Sequence, residues 1–177
     1  MIARDSDPSD GSFADGNSYS ADALNAARAA PGARITVDGL AFTMPRYGPG
    51  ERDNVAGGGG VIALSGHARE IGFLGASAGG VTGAVTIRYA DGTSTTANLF
   101  LTNWLTDQPT ANGARIAVTT DHRVTPTGPA NFGLNYRLYV NTVPVDPARE
   151  LHSVTARQLR PPHPRPGDPP GHIAPHT

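Results

Sequence analysis

The chain has 177 residues, of which 6% are aromatic and 16% charged, with 22 glycines and 16 prolines. That length suits one well-buried domain, and that composition suits a turn-rich β-protein rather than a helical bundle. A formal net charge of -1 gives no electrostatic footprint for nucleic acid or an anionic membrane, and the absence of cysteine excludes disulfides, zinc–thiolate sites and thiol nucleophiles.

Residues 1 to 18 are acidic and rich in glycine and serine, and are expected to form a leading segment outside a β-sandwich domain spanning 19–158. Asp5, Asp7, Asp10 and Asp15 crowd this stretch. Hard oxygen ligands so arranged suit a structural calcium ion held by Asp5, Asp7 and Asp10, although the EF-hand pattern is not met: its glycine falls one place late and the final glutamate is missing. The alternative is a solvated acidic segment. No other cofactor is expected. The opening MIARDSDPSDGS lacks a signal-peptide core, and no apolar run reaches the length of a membrane-spanning helix. Export would then depend on a signal outside this chain. Next, Ser20 to Ala30 reads as a short alanine-rich helix, with Ser20 as N-cap and Pro31-Gly32 as its stop.

Two hairpins follow from turn chemistry. Arg34 to Val37, Asp38-Gly39 and Leu40 to Met44 read as strand, two-residue type I′ turn, strand. Counted outward from the turn, Val37 faces Leu40 and Ile35 faces Phe42, so both strands place their apolar residues on one face. The second hairpin joins Val85 to Tyr89 with Thr93 to Leu101. Val85, Ile87 and Tyr89 share a face with Ala97, Leu99 and Leu101 only if Ala90-Asp91-Gly92 forms a three-residue loop, with Gly92 in the left-handed position.

Further strands are expected at Val61 to Ser65, Glu70 to Leu74, Ala114 to Thr120, Tyr136 to Val143 and Leu151 to Ala156. About nine strands at this spacing predict an all-β fold: a single antiparallel β-sandwich, jelly-roll-like or immunoglobulin-like, with one short N-terminal helix. The stretch 159–177 is proline-rich with almost nothing to bury, and is expected to be a disordered tail.

Candidate chemistry is sparse. Gly75-Ala76-Ser77-Ala78-Gly79 matches the G-x-S-x-G elbow, and Ser77, Asp121 and His152 even follow in hydrolase order. An elbow needs a helix immediately after its serine, whereas Gly80-Val81-Thr82-Gly83 leads into another strand, so a tight inter-strand turn explains the same letters. None of the six histidines has metalloprotease spacing, and surface or lightly packed positions are expected for all of them. Carboxylate pairs for glycoside hydrolysis meet only in three dimensions, and spacing selects none. A sugar-binding surface needs an exposed flat ring; Trp104 in a polar loop and Tyr47 beside Pro45 are the candidates, with Trp104 capping an end of the sandwich as the alternative.

Several stretches together carry a family likeness: DGSFADGNSYSADAL, TVDGLAFTMPRYGPGERDNV, LSGHAREIGFLG, TGAVTIRYADGT, and TPTGPAN followed by LYVNTVPVDP. In this order and spacing the chain resembles a β-sandwich accessory module found beside the catalytic domains of actinobacterial exported glycoside hydrolases, α-mannosidase-like proteins among them. The resemblance implies a non-catalytic module at the cell surface or outside the cell, brought there by a parent protein. Its expected partners are an oligosaccharide, bound weakly, and the parent's catalytic domain. A structural spacer without its own ligand is the alternative. Family members usually carry tryptophan before the proline where this chain has Met44-Pro45, and they close on an apolar strand where this chain runs from Val154 into RQLRPPHPRP.

Overall fold

The first hairpin forms with the register that its turn dictates. In the computed structural model, which describes residues 1–11, 13, 16–46, 53–55 and 59–156, β3 (Arg34–Val37) pairs antiparallel with β4 (Leu40–Thr43), matching Val37 to Leu40 and Ile35 to Phe42. Asp38 and Gly39 both have positive φ, 47° and 83°, as a type I′ turn requires. The apolar face of the hairpin lies over Gly72, where a Cβ would fall 2.8 Å from Cζ of Phe42 and 2.9 Å from Cδ1 of Leu40. Glycine is therefore what allows the close approach.

β5 (Val61–Ala63), β6 (Glu70–Gly75), β7 (Val81–Tyr89), β8 (Ser94–Leu101), β9 (Arg115–Thr120), β12 (Tyr136–Pro144) and β13 (Leu151–Ala156) build the body of the sandwich. One sheet runs β5-β13-β7-β8 and the other β6-β12-β9, all of their pairs antiparallel. The second hairpin has its three-residue loop: the Tyr89 amide donates to the Thr93 carbonyl at 3.0 Å, Gly92 has φ 83°, and Val85 faces Ala97. Alternation along β7 turns Val85, Ile87 and Tyr89 inward, where they meet Leu99, Leu151 and Val154 of the same sheet and Ile71 and Val143 of the other. β13 lies between β5 and β7 and supplies Leu151 and Val154 to that core, so the closing strand is present despite the change of composition beyond it.

The leading segment is not separate from the sandwich, which corrects the expected boundary at residue 19. β1 (Ile2–Ala3) pairs in parallel with β2 (Ser18–Ser20), and β2 pairs with β10 (Arg123–Thr125), which continues to β11 (Gly128–Ala130). The physical reason is burial: Ile2 and Ala3 are enclosed, and Ile2 joins Tyr19, Leu24 and Trp104 in a second apolar cluster. The Ile2 amide and the Met1 nitrogen both donate to the buried carboxylate of Asp53, at 2.6 and 2.8 Å. β12 contributes to both clusters, through Tyr136, Leu138 and Tyr139 on one side and Val143 on the other.

The helix α1 (Ala21–Ala26) is shorter than expected. Ser20 caps it, accepting from the Ala23 amide at 3.0 Å, but it stops before Pro31 because Arg28 turns left-handed with φ 61°. Among the described residues no helix is long and apolar enough to cross a membrane. The expected disordered tail, 159–177, lies outside the described residues.

Candidate functional site

Trp104, expected as an exposed ring, is 6% accessible and belongs to the core. Its backbone fixes this: the Trp104 amide donates to the Ser77 carbonyl at 2.9 Å, and the Arg137 amide donates to the Trp104 carbonyl at 2.9 Å. The indole consequently points into a cage of Phe13, Tyr19 and Tyr136, with ring centroids 5.1, 5.1 and 4.7 Å away. These tilted and edge-on contacts are ordinary aromatic core packing. Tyr47, the other expected ligand-binding ring, lies outside the described residues.

Ser77 is part of the same brace. Its hydroxyl donates to the Leu101 carbonyl at 2.8 Å, its amide donates to the Thr102 carbonyl, and the chain after it enters β7 without a helix. Among the described residues no histidine is hydrogen-bonded to its hydroxyl, and no helix follows it, so the base and the helix N-terminus of an elbow are both missing there.

Asp5, Asp7 and Asp10 serve three separate purposes. Asp7 caps the 3₁₀ turn Pro8–Asp10 by accepting from the Ser9 amide at 3.2 Å and the Ser9 hydroxyl at 2.6 Å. Those hydrogen bonds hold the Asp7 carboxyl below its ordinary range. Asp10 pairs with Arg4 at 3.5 Å. Asp5 accepts from the Ser20 hydroxyl at 2.6 Å and meets His122. Among the described residues no three histidine, aspartate or glutamate side chains converge as a metal site, so the expected calcium ligand set does not assemble from these three.

His122 gathers an organised polar group that joins Asp5 to Asp121. Its ring is buried, contrary to the surface or lightly packed position expected for all the histidines. Nδ1 lies 2.7 Å from Oδ1 of Asp121, and Nε2 lies 2.9 Å from Oδ2 of Asp5. An ionised carboxylate only accepts, so the imidazolium, with a proton on each nitrogen, is the form that satisfies both partners. Burial opposes that charge, but the hydrogen bonds to Asp121 and Asp5 and the carboxylate charges outweigh it, raising the His122 pKa above its ordinary value. A ring with both nitrogens occupied has no free site with which to activate a nucleophile. The Ser20 hydroxyl, which bonds to Asp5 and caps α1, is fully enclosed.

Phe132 stacks on this histidine, with centroids 4.4 Å apart and planes 26° from parallel. Its turn is held at several points. Asn131 and Gly133 have φ of 61° and 84°, the Gly133 amide donates to the Asp121 carbonyl at 2.8 Å, and Nε of Arg123 donates to the Asn131 side chain at 2.9 Å. Phe132 is nonetheless 64% exposed, and it is the exposed aromatic among the described residues. Residue patterning gave no signal for it, because Asn-Phe-Gly-Leu reads as a turn and its support comes from His122 and, through it, Asp5. Elsewhere, a shallow recess of about 240 Å³ lined by Arg88, Tyr89, Ala90, Gly92 and His152 lies on the β7–β8 side. It falls below the roughly 300 Å³ at which small-molecule pockets begin.

Two packed antiparallel sheets, one short helix and a surface whose organised feature is a braced aromatic turn define an all-β sandwich domain. Residues 1–154 match the family model of the AziU2-like beta-sandwich domain, and the chain belongs to that family. No curated protein matches the chain.

Proposed function

We propose that this chain is a non-catalytic accessory module of a carbohydrate-active enzyme, holding glycan weakly on an open surface beside a catalytic neighbour, outside the cell or at its surface. The observation that supports it best is the pairing of a buried Trp104 and a self-occupied Ser77 with, among the described residues, a single exposed aromatic ring on a braced turn. Such a surface suits holding rather than turnover, because turnover needs a nucleophile beside a base or a carboxylate pair facing a cleft.

The test has two arms. Purified protein is assayed against aryl esters and aryl glycosides, and titrated with mannose-, galactose- and glucose-based oligosaccharides. Absence of hydrolysis with millimolar to micromolar binding of at least one sugar is expected, as roughly fits a ligand that desolvates little area. Turnover abolished by Ser77→Ala would contradict the reading.

A second reading, a structural spacer or interaction domain without its own ligand, draws on a different observation. Val61 and Ile62, on the edge strand β5, are 70% and 41% exposed with no charge on that strand to keep neighbours away. A silent sugar panel would favour it.

A further inference from the structure

We infer that Phe132 is the stacking platform of a saccharide site, taking the C–H face of a neutral hexopyranose while Asp121, Asn131 and Arg123 meet its hydroxyls. The inference rests on the glycan-binding reading above and names the residues that would carry it. Pyranose rings present a flat apolar face that packs on an aromatic ring, and a rim of hydroxyls that seeks donors and acceptors. A platform for such a ligand needs a ring open on one face, fixed in orientation, and polar groups beside it.

The turn 131–134 has each of these. His122 covers one face of Phe132, and 64% exposure of the residue leaves the other to solvent. Fixing comes from behind: two carboxylates hold the histidine, and the Gly133 amide and the Arg123 side chain hold the turn. A ring already stacked on one face loses less freedom when a ligand lands on the other, which favours binding on a surface too open to enclose one. The polar groups stand beside it. The Asp121 side chain is 71% exposed and presents an acceptor beyond the oxygen that meets His122, while Asn131 and Arg123 adjoin through their shared hydrogen bond.

Charge favours a neutral ligand. The imidazolium offsets one of the two carboxylates and Arg123 the other, so neither sign dominates near the ring. Size argues against a protein as the occupant. A stable protein interface covers about 800 Å² on each partner around an apolar centre, whereas here one ring, with the 42% exposed Leu134 two residues on, stands among polar groups.

The experiment compares Phe132→Leu, which keeps apolar bulk without a flat face, with Phe132→Trp, which keeps the face. Each full-length variant is titrated calorimetrically with the oligosaccharides that the unaltered chain binds. Loss of about tenfold in affinity for Phe132→Leu, near 1.4 kcal/mol, with Phe132→Trp close to the unaltered chain, is the expected result. Equal affinity in all three would overturn the site while leaving the glycan-binding reading intact. A silent panel for the unaltered chain would overturn both, and loss of association with a catalytic domain in Phe132→Leu alongside a silent panel would move the turn to a protein partner. In the unaltered chain, nuclear Overhauser contacts between the Phe132 ring and sugar C–H protons are expected whether or not the variants fold, and their absence at saturating sugar contradicts the proposal.

Discussion

His122 acts as an electrostatic pin between two parts of the chain far apart in sequence, since Asp5 belongs to the leading segment and Asp121 to the turn before β10. A folded-state pKa raised above the ordinary value of about 6.5 means that the pin's contribution is fully present below that pH. It is lost as pH rises through the higher folded-state value. The His122 ring protons should therefore titrate in NMR with a midpoint above about 6.5, moving down in Asp121→Asn, and a midpoint at or below that value would contradict the pin. Trp104 gives a second residue-scale prediction. Emptying its cage with Trp104→Ala should cost about 3–5 kcal/mol in denaturant unfolding, and the emission of the unaltered chain, whose only tryptophan it is, should be that of a dry indole. A change under about 1 kcal/mol would place the ring outside the core. The polar letters around Trp104 misled because they describe its neighbours' side chains, while its direction is set by backbone bonds to Ser77 and Arg137. Nothing local marks His122 either, because its second partner is 117 residues away.

Among the elements, what could be read from the sequence and what could not divide by length and locality. Asp38-Gly39 and Ala90-Asp91-Gly92 fix strand register within a few residues, so both hairpins were legible down to their cross-strand pairs. β1, β2, β10 and β11 were not, since each has only two or three residues, too few for a period to appear. The β1–β2 pairing is also parallel and joins residues 2–3 to 19–20, which no turn signal predicts. Its importance is testable at Gly11. A Cβ there would collide with the Ile2 carbonyl oxygen and fall 2.8 Å from the Ile2 carbonyl carbon, which is backbone and cannot rotate away. Gly11→Ala should displace β1 and cost about 1–3 kcal/mol, read as a lower midpoint of thermal unfolding. An unchanged midpoint would show that the leading segment contributes little to the fold.

At the scale of the whole molecule, most of the buried apolar residues among those described lie in two clusters that share β12, and the buried aromatic rings follow: Tyr19, Trp104, Tyr136 and Tyr139 are in one cluster and Tyr89 in the other. Phe132 is the exposed aromatic among the described residues and yet is braced by an ion group, which is why a surface activity is proposed there rather than in a cleft. The fold class came from alternation and turns, whereas this placement required knowing which rings the core uses. The proposed accessory role is tested most directly by titrating isotopically labelled protein with mannose-, galactose- and glucose-based oligosaccharides and following every backbone amide. Saturable shifts concentrated at residues 121–123 and 131–134 are expected, with the amides around Trp104 little changed. Shifts elsewhere, or none with any sugar, would contradict it.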